Sequence, residues 1–309
     1  MPASAPSLAV VLPTYNRRAI LERTLDALDV QSQRDFRIVV VDDGSTDGTF
    51  EWLGRRAAGR TAEPRLVAFR EANRGQGQAR NRALREVEEE LVLFLGDDII
   101  PHEDFVAEHR AAHARRAARG GPIAVVGFTD WRRSEMRVTP ALEMANVEGH
   151  QFGFAHMRAD EEVPFTCFYT SNLSLPRRLL GDEPFDASFA AYGWEDIELG
   201  YRLSCAGLRL VYHPAASAEH LHPMTLGELF ARQLLVGRGR ATLCKLHPEL
   251  AATPLLSPAA PPRWFAASKR LVPRLLPLLS ALDGAGVPLG RRLLHRVLIC
   301  GYYLGQEAA

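Results

Sequence analysis

The chain has 309 residues, which is long enough to bury a large core as one α/β domain, or as one domain with an appendage. Its 37 basic and 37 acidic residues give a formal net charge of zero, which argues against a nucleic-acid partner, since proteins that bind nucleic acids usually carry a basic excess. The four cysteines are far apart and form no CxxC pair, which favours reduced thiols in a cytoplasmic protein over a disulfide framework.

Strand and helix patterns alternate along the first hundred residues. Short apolar runs predict four buried strands, and helical spacing of apolar residues predicts a helix after each of the first three. This alternation predicts right-handed βαβ crossovers and a mostly parallel sheet flanked by helices. The strands are predicted at residues 8–15, 36–43, 65–70 and 91–95, and the helices at 19–31, 47–58 and 76–89.

Three of the predicted strands end in polar clusters, PTYN, DDGS and GDD. Ligands of such sheets bind at the carboxyl ends of the strands, so these clusters indicate a binding site. The first strand has no GxGxxG after it, and GxxxxGK[ST] is absent, which excludes the Rossmann and P-loop phosphate sites. A nucleotide would therefore be held by carboxylates and backbone groups.

Two adjacent acids, Asp97 and Asp98, follow the apolar run LVLFLG. Like charges so close repel each other, and poor solvation makes the repulsion stronger. Either the two acids reach bulk water, or a cation lies between them. A second acidic pair, Glu195 and Asp196, begins the predicted helix of GWEDIELGYRL, where acids are also favoured by the helix dipole alone.

Five motifs, taken together, resemble the inverting nucleotide-sugar glycosyltransferases of family 2, which have the GT-A fold. They occur in the order VVLPTYNR, VVVDDGSTDGT, NRGQGQARNRAL, LVLFLGDDIIP and GWEDIELGYRL, and the resemblance covers roughly residues 7 to 240. It implies a donor such as UDP- or dTDP-sugar and a glycan or lipid-linked acceptor, in glycan, polysaccharide or glycolipid biosynthesis. No QxxRW follows Arg232, which favours addition of one sugar over processive synthesis.

The resemblance also assigns residues to the donor. Asp43 would accept the N3–H of a uracil or thymine ring, and Arg80 would lie near the diphosphate, unless it forms a salt bridge on the helix surface. Asp98 would bind a divalent cation, Mg²⁺ or Mn²⁺, and Asp97 the ribose hydroxyl, although Gly96 stands where the family often has a further Asp. The loop after the first strand would line the nucleotide pocket, with Pro13, Thr14, Tyr15, Asn16 and Arg17.

On the acceptor side, the resemblance makes Asp196 the general base, with Glu195 binding donor or acceptor hydroxyls. Transfer with inversion needs one base to remove the hydroxyl proton and no carboxylate nucleophile. His220 would be a further metal ligand, although His222 is hard to separate from it. The irregular segment 131–165 and the strand end near 170 could border the sugars, through Trp131, Phe152, Phe154, His156, Thr170, Ser171 and Asn172.

The resemblance fades from residue 248 onward. We therefore predict a GT-A catalytic domain over 1–247, with a nucleotide-binding half over about 7–100 and an acceptor half over about 101–247. A Pro-rich linker and a helical extension follow over 248–309. Residues 291–304 predict a basic amphipathic helix. Its apolar face either contacts the inner face of the cell membrane, or packs on the catalytic domain or on a twin subunit in a homodimer. We expect no spanning helix, since no window reaches roughly eighteen apolar residues, and no signal peptide.

Two other classes share some of these features. A sugar nucleotidyltransferase would also bind a nucleotide on an α/β fold, but PTYNR stands where its glycine-rich loop is expected. A non-catalytic nucleotide-sugar or carbohydrate-binding protein would not need Asp98 and Asp196 together.

Overall fold

The computed structural model of the protein describes residues 5–59, 65–117, 120–147, 152–189, 193–253, 256 and 260–309. Within these residues, nine β-strands form one mixed sheet with helices on both faces. The order along the main path is β3-β2-β1-β4-β8-β6-β9-β5, and β7 pairs with β9 beside this path.

The first half of the chain is the predicted parallel unit. Strands β3, β2, β1 and β4 are neighbours in that order, and every pair among them is parallel. The third helix ends at Leu84, five residues before the predicted end. The elements in chain order are β1 (Leu8–Thr14), α1 (Arg18–Asp29), β2 (Arg37–Asp42), α2 (Thr49–Ala58), β3 (Leu66–Arg70), α3 (Gln76–Leu84) and β4 (Leu91–Leu95).

The second half adds antiparallel pairs to this sheet. Strand β8 runs antiparallel to β4, and β5 runs antiparallel to β9. The pairing of Ile99 with His220 brings the end of β9 beside the segment that follows β4. The elements are β5 (Ile99–Pro101), α4 (Phe105–Ala117), β6 (Ile123–Trp131), α5 (Pro140–Val147), β7 (Glu162–Val163), β8 (Asn172–Pro176), α6 (Glu195–Cys205) and β9 (Arg209–His220).

The central strands are buried on both faces, as their continuous apolar sequences predict. In β1, Val10 and Leu12 belong to the apolar cluster on one side of the sheet, and Ala9 and Val11 belong to the cluster on the other side. Successive side chains of a strand point to opposite faces, so one short strand contributes to both layers of the core. The strand ends are thereby fixed, and with them the polar residues that follow.

Three α-helices complete the described chain, α7 (Leu226–Leu246), α8 (Phe265–Gly284) and α9 (Arg291–Glu307), and a short 3-10 helix (Pro248–Ala252) follows α7. Leu294, Val297 and Leu298 of α9 are buried in an apolar cluster that also contains Trp131 and Leu229. For α9, the packing alternative is therefore the one that this structure shows.

The boundary at residue 247 stays a prediction, and the apolar contacts are continuous across it. No described helix is both long enough and apolar enough to cross a membrane. Residues 254, 255 and 257–259 of the predicted linker lie outside the described ones.

Glycines allow α7 and α9 to approach each other closely. A Cβ atom on Gly305 would overlap the carbonyl oxygen of Leu234, and one on Gly237 would overlap that of Tyr302. We therefore expect Gly305→Ala to lower the free energy of unfolding by about 1–3 kcal/mol, as overpacking of a core does, in a thermal or denaturant melt.

The matched control is Gly54→Ala in α2, where an added Cβ would have no atom within 4 Å. This substitution should be neutral, or stabilising by up to about 1 kcal/mol, because alanine restricts the unfolded chain. Equal stability of Gly305→Ala and the unmodified protein would contradict the close contact of α7 with α9.

Candidate active site

A cavity of about 370 Å³ opens at the carboxyl ends of β1, β2 and β4. The three polar clusters that follow these strands meet there, together with the start of α6 and the end of β9. Most of the residues that the sequence assigned to the site line this cavity. They are Pro13, Thr14, Tyr15, Arg17, Asp43, Arg80, Asp97, Asp98, Asp196 and His220.

Two of the assigned residues do not line the cavity. Asn16 is exposed, with a left-handed backbone (φ 52°), and its side-chain oxygen accepts a hydrogen bond of 2.7 Å from the backbone N–H of Thr46. Asn16 therefore braces the loop instead of lining the nucleotide pocket. Glu195 is only 1% exposed and lies behind the cavity wall.

Asp97 and Asp98 are both buried, and a cation does lie between them. It is the guanidinium of Arg17, whose Nη1 lies 2.7 Å from Asp98 Oδ2 and 3.3 Å from Asp97 Oδ1. Thr14 also donates a hydrogen bond of 2.7 Å to Asp97 Oδ2. The repulsion between the two acids is thus offset by a residue of the chain itself.

The two carboxyl groups differ in their electrostatic environment. Burial, and then the charge of Asp98, raises the pKa of Asp97 to about 6. Burial also acts to raise the pKa of Asp98, but His220 and His222 outweigh it and hold that pKa well below its ordinary value. Asp98 is therefore the carboxylate that stays ionised, and the one suited to a cation.

Asp98, His220 and His222 form a group of potential metal ligands. Oδ2 of Asp98 lies 3.2 Å from His220 Nε2 and 2.7 Å from His222 Nδ1, and one ligand atom from each of the three residues lies within 4.8 Å of the others. The His220 ring stacks on Trp131, with 4.9 Å between centroids. Because the two histidines approach the same carboxylate oxygen, the structure does not choose between them but brings both to the site.

This donor set fits a divalent cation. One carboxylate oxygen and two imidazole nitrogens converge, and the cation of Arg17 already occupies part of the space, with its Nη2 3.3 Å from His222 Nε2. Magnesium prefers oxygen ligands and manganese is likewise suited to carboxylates and water, whereas imidazole suits zinc, copper, iron and nickel. One carboxylate and two histidines therefore fit a divalent cation, and this donor set does not select between Mg²⁺ and Mn²⁺.

Asp43 lies at the end of β2, at another side of the cavity. Its two carboxylate oxygens accept hydrogen bonds from the backbone N–H groups of Arg74 (2.8 Å) and Gly75 (2.9 Å). Burial raises its pKa, and the two N–H donors oppose this shift. The loop before α3 thus holds the carboxylate in a fixed orientation, with lone pairs left for a ligand.

Asp196 lies in the first turn of α6. The turn before it has positive φ at Gly193 (100°) and Trp194 (76°), and the indole of Trp194 donates a hydrogen bond to the carbonyl of Val236. The Asp196 carboxylate accepts the N–H of Ile197 at 2.8 Å. Burial and the charge of Glu195 raise the pKa of Asp196 to about 7, which is the range of a general base at neutral pH.

Glu195 and Arg80 form a buried ion pair, at 3.2 Å. Gln76 donates a second hydrogen bond of 2.6 Å to the same carboxylate oxygen. Arg80 does form a salt bridge, but the pair is buried, so the predicted place for it on the helix surface is wrong. Glu195 is also too deeply buried for the expected contact with sugar hydroxyls. Glu195 positions Arg80, and its charge raises the pKa of Asp196.

The structure brings further residues to the cavity that sequence reasoning missed. Arg232 of α7 lines it, and burial lowers the pKa of this guanidinium to about 10. Tyr169 and Gln76 line it as well. The signal for Arg232 is its place early in the helix after the two histidines, in the segment that lacks QxxRW.

The seven residues that the sequence placed near the sugars, without a definite role, fall into two groups in the structure. Phe152, Thr170 and Ser171 line the cavity, whereas Asn172 is buried in the sheet and donates hydrogen bonds to the carbonyls of Phe128 and Ala216. The remaining three do not line the cavity: Trp131, Phe154 and His156.

Comparison with known proteins identifies relatives of this chain. The family model described as "Glycosyl transferase family 2" matches residues 9–173, which is more than half of the chain. Validoxylamine A glucosyltransferase from Streptomyces hygroscopicus subsp. jinggangensis is 34% identical over 230 residues, covering 66% of this chain and 52% of that protein. The chain thus spans about half the length of this curated relative.

Solved structures share the fold. The mannosyltransferase PcManGT from Pyrobaculum calidifontis, in complex with GDP-Man and Mn²⁺, superposes with a TM-score of 0.62 at 21% identity, over 99% of this chain and 87% of that one. Residues 1–349 of TarS from S. aureus, in complex with UDP, give a TM-score of 0.53 at 17% identity, over 98% and 90%. The predicted GT-A fold is confirmed, and the chain belongs to the family 2 glycosyltransferases.

Proposed function

We propose that this protein transfers one sugar from a nucleoside-diphosphate donor to an acceptor hydroxyl, with inversion and with the help of a divalent cation. The observation that carries the proposal is that the Asp98, His220 and His222 group and the Asp196 carboxylate line one cavity. A nucleotide-sugar-binding protein without catalytic activity would not need an acid with a pKa near 7 in that cavity.

The donor is a uridine or thymidine nucleotide in this proposal. The Asp43 carboxylate is held by two backbone N–H groups at the edge of the cavity, where it can accept the N3–H of a pyrimidine ring. A guanine base presents two adjacent donors, N1–H and the 2-amino group, in place of the single N3–H of the pyrimidine. Both kinds of base occur among the structural neighbours, GDP in PcManGT and UDP in TarS, so the base has to be tested directly.

Asp98 would hold the cation, together with His220 and His222. A bound divalent cation supplies charge neutralisation for the diphosphate leaving group. The basic side chains of Arg17 and Arg232 line the same cavity and would add positive charge around the diphosphate. With the cation bound to Asp98, the Arg17 guanidinium would be free to turn from the carboxylates to the phosphates.

Asp196 would act as the general base on the acceptor. It accepts the proton of the attacking hydroxyl, the new bond to C1 forms as the bond to the diphosphate breaks, and an α-linked donor gives a β-linked product. The acceptor is a glycan or a lipid-linked sugar in this proposal. We place the reaction in the cytoplasm, a proposal supported by four cysteines that are all free thiols.

A thermal-shift screen of UDP-, dTDP- and GDP-sugars, each with and without Mn²⁺, tests this function. We expect the uridine or thymidine donor to raise the melting temperature, and Mn²⁺ to enlarge the shift, because a ligand of the folded state stabilises it by mass action. No shift with any donor in the presence of Mn²⁺ would contradict the proposal.

Asp43→Ala tests the assignment of the nucleobase, in titrations of the same nucleotides. Removing the carboxylate should weaken the uridine or thymidine nucleotide more than the guanosine nucleotide, since only the pyrimidine loses the hydrogen bond from N3–H. The measurement is the ratio of the two dissociation constants, for the variant and for the unmodified protein. Equal losses for both nucleotides would remove the pyrimidine-binding role from Asp43.

A further inference from the structure

Helix α8 presents a row of leucines to the outside of the protein. Leu271, Leu275 and Leu278 are 54%, 40% and 58% exposed, far above the core leucines. Their spacing of four and three residues places them on one face of the helix, one above the other. A contiguous exposed apolar row of this kind marks an interaction surface more often than isolated exposed leucines do.

The opposite face of α8 is fixed to the rest of the protein. Phe265, Val272 and Leu279 are buried, and they belong to the cluster shared with α7 and α9. The buried carboxylate of Asp283 accepts the backbone N–H of Ala141, which anchors the end of the helix. Because the inner face has its own apolar contacts, the outward leucines are not needed to hold α8 in place.

The charged side chains that α8 itself exposes have one sign. Arg270 and Arg274 are exposed, and each directly precedes one of the leucines. Residues 253–309 contain seven Lys and Arg against two acids, although the whole chain has a net charge of zero. Of the two acids, Asp283 is buried and Glu307 pairs with Lys269 at 2.8 Å. The outer face of α8 therefore has no acidic residue.

We infer that the leucine row of α8 docks on an anionic lipid membrane surface. The leucines would enter the boundary between headgroups and acyl chains, and Arg270 and Arg274 would contact the anionic headgroups. A second copy of this chain would present the same basic surface to its twin, and the like charges would oppose such a dimer. The sequence pointed to the C-terminal basic helices for this contact, and to residues 291–304 in particular. The apolar face of α9 is packed in the cluster with α7, whereas α8 carries an exposed apolar row.

Flotation of the full chain with lipid vesicles tests this inference. One set of vesicles contains phosphatidylcholine alone, and the other contains phosphatidylcholine mixed with phosphatidylglycerol. We expect binding to the anionic vesicles that weakens as salt is added, since exposed charges are screened. The triple variant Leu271→Ser, Leu275→Ser, Leu278→Ser and the double variant Arg270→Gln, Arg274→Gln should each lower the partition coefficient about tenfold or more.

Val30→Ser is the matched control, because Val30 is 59% exposed at the end of α1, outside this surface. It should bind vesicles as the unmodified chain does, and every variant should melt cooperatively above the temperature of the flotation assay, which shows that it is folded. The inference is overturned if the unmodified chain does not bind anionic vesicles, or if the leucine variant binds them equally well. It is also overturned if the leucine variant only dissociates a dimer, as measured by light scattering.

Discussion

Asp98→Asn is expected to remove the gain in nucleotide affinity that Mn²⁺ gives the unmodified protein. Asp98 is the one carboxylate in the ligand group found among the described residues, and both histidines approach its Oδ2. The amide keeps the shape but removes the charge that a cation needs. Since loss of even an outer partner of a metal ligand costs about 10–100-fold in affinity, we expect a loss of about 100-fold or more for the ligand itself.

The measurement is a calorimetric titration of the nucleotide, with and without Mn²⁺. In the unmodified protein the two curves should differ, and in Asp98→Asn they should coincide at the weaker affinity. The variant must keep its secondary structure, which circular dichroism checks. A variant that still shows the full Mn²⁺ effect would remove Asp98 from the metal site.

Arg17→Ala is expected to have the opposite effect on metal binding in the same cavity. The guanidinium and the cation compete for Asp98 Oδ2, where the Arg17 nitrogen lies at 2.7 Å. Removing Arg17 should therefore tighten the binding of Mn²⁺ alone, measured by the loss of the free-ion signal in electron paramagnetic resonance. Weaker binding of Mn²⁺ by this variant would show that Arg17 does not compete for the site.

The sequence predicts the nucleotide-binding half well because the information is local. Continuous apolar runs of β-branched residues can be buried only in a sheet covered on both faces, and helices between them require parallel neighbours. Once β1, β2 and β4 are adjacent, their carboxyl ends must meet. Thr14, Asp43 and Asp97 then share one cavity without any further assumption.

The other half of the site depends on contacts that no local pattern contains. Glu195 and Asp196 are neighbours on one helix, about 100° apart around its axis, so only packing decides which of them reaches the cavity. The buried guanidinium of Arg80 takes Glu195 and leaves Asp196 to the cavity. Arg232 comes from a helix whose position is set by its contacts with α9, far along the chain.

The C-terminal helices show the same limit. Amphipathic periodicity predicts that α9 has an apolar face, but a membrane, a partner and the protein core satisfy that face equally. The glycines at 237 and 305 decide the outcome, because they let α7 and α9 come into backbone contact. Helix α8 then covers part of the same cluster with one face and exposes leucines on the other.

Asp196→Asn is expected to lower turnover by about 10²–10⁴-fold, the usual loss when a general base is removed. Donor affinity should change little, since asparagine has the same shape and Asp196 is assigned to the acceptor. The product of the unmodified protein should have inverted configuration at the anomeric carbon, which NMR shows. Nearly full turnover in the variant, or retained configuration, would exclude Asp196 as the base.

The pH dependence follows from the raised pKa. Only the ionised carboxylate accepts a proton, and the pKa of Asp196 is about 7, so kcat/KM should rise with pH up to that value and level off above it. Between the ordinary pKa of an aspartate and this raised pKa, the unfolded chain is ionised while the folded carboxyl stays protonated, so the loss of stability builds up as the pH rises towards 7 and is complete above it. Asp196→Asn should therefore raise the melting temperature more at pH 8 than at pH 5.

Glu195→Gln tests whether the charge of Glu195 raises the pKa of the proposed general base. The negative charge of Glu195 is, after burial, the main cause that raises the pKa of Asp196, so neutralising it lowers that pKa. The rising limb of the pH profile should then move to lower pH, while breaking the buried pair with Arg80 lowers the melting temperature. A purely structural Glu195 would change stability alone. An unmoved limb would show that the group titrating in the profile is not the Asp196 carboxylate beside Glu195.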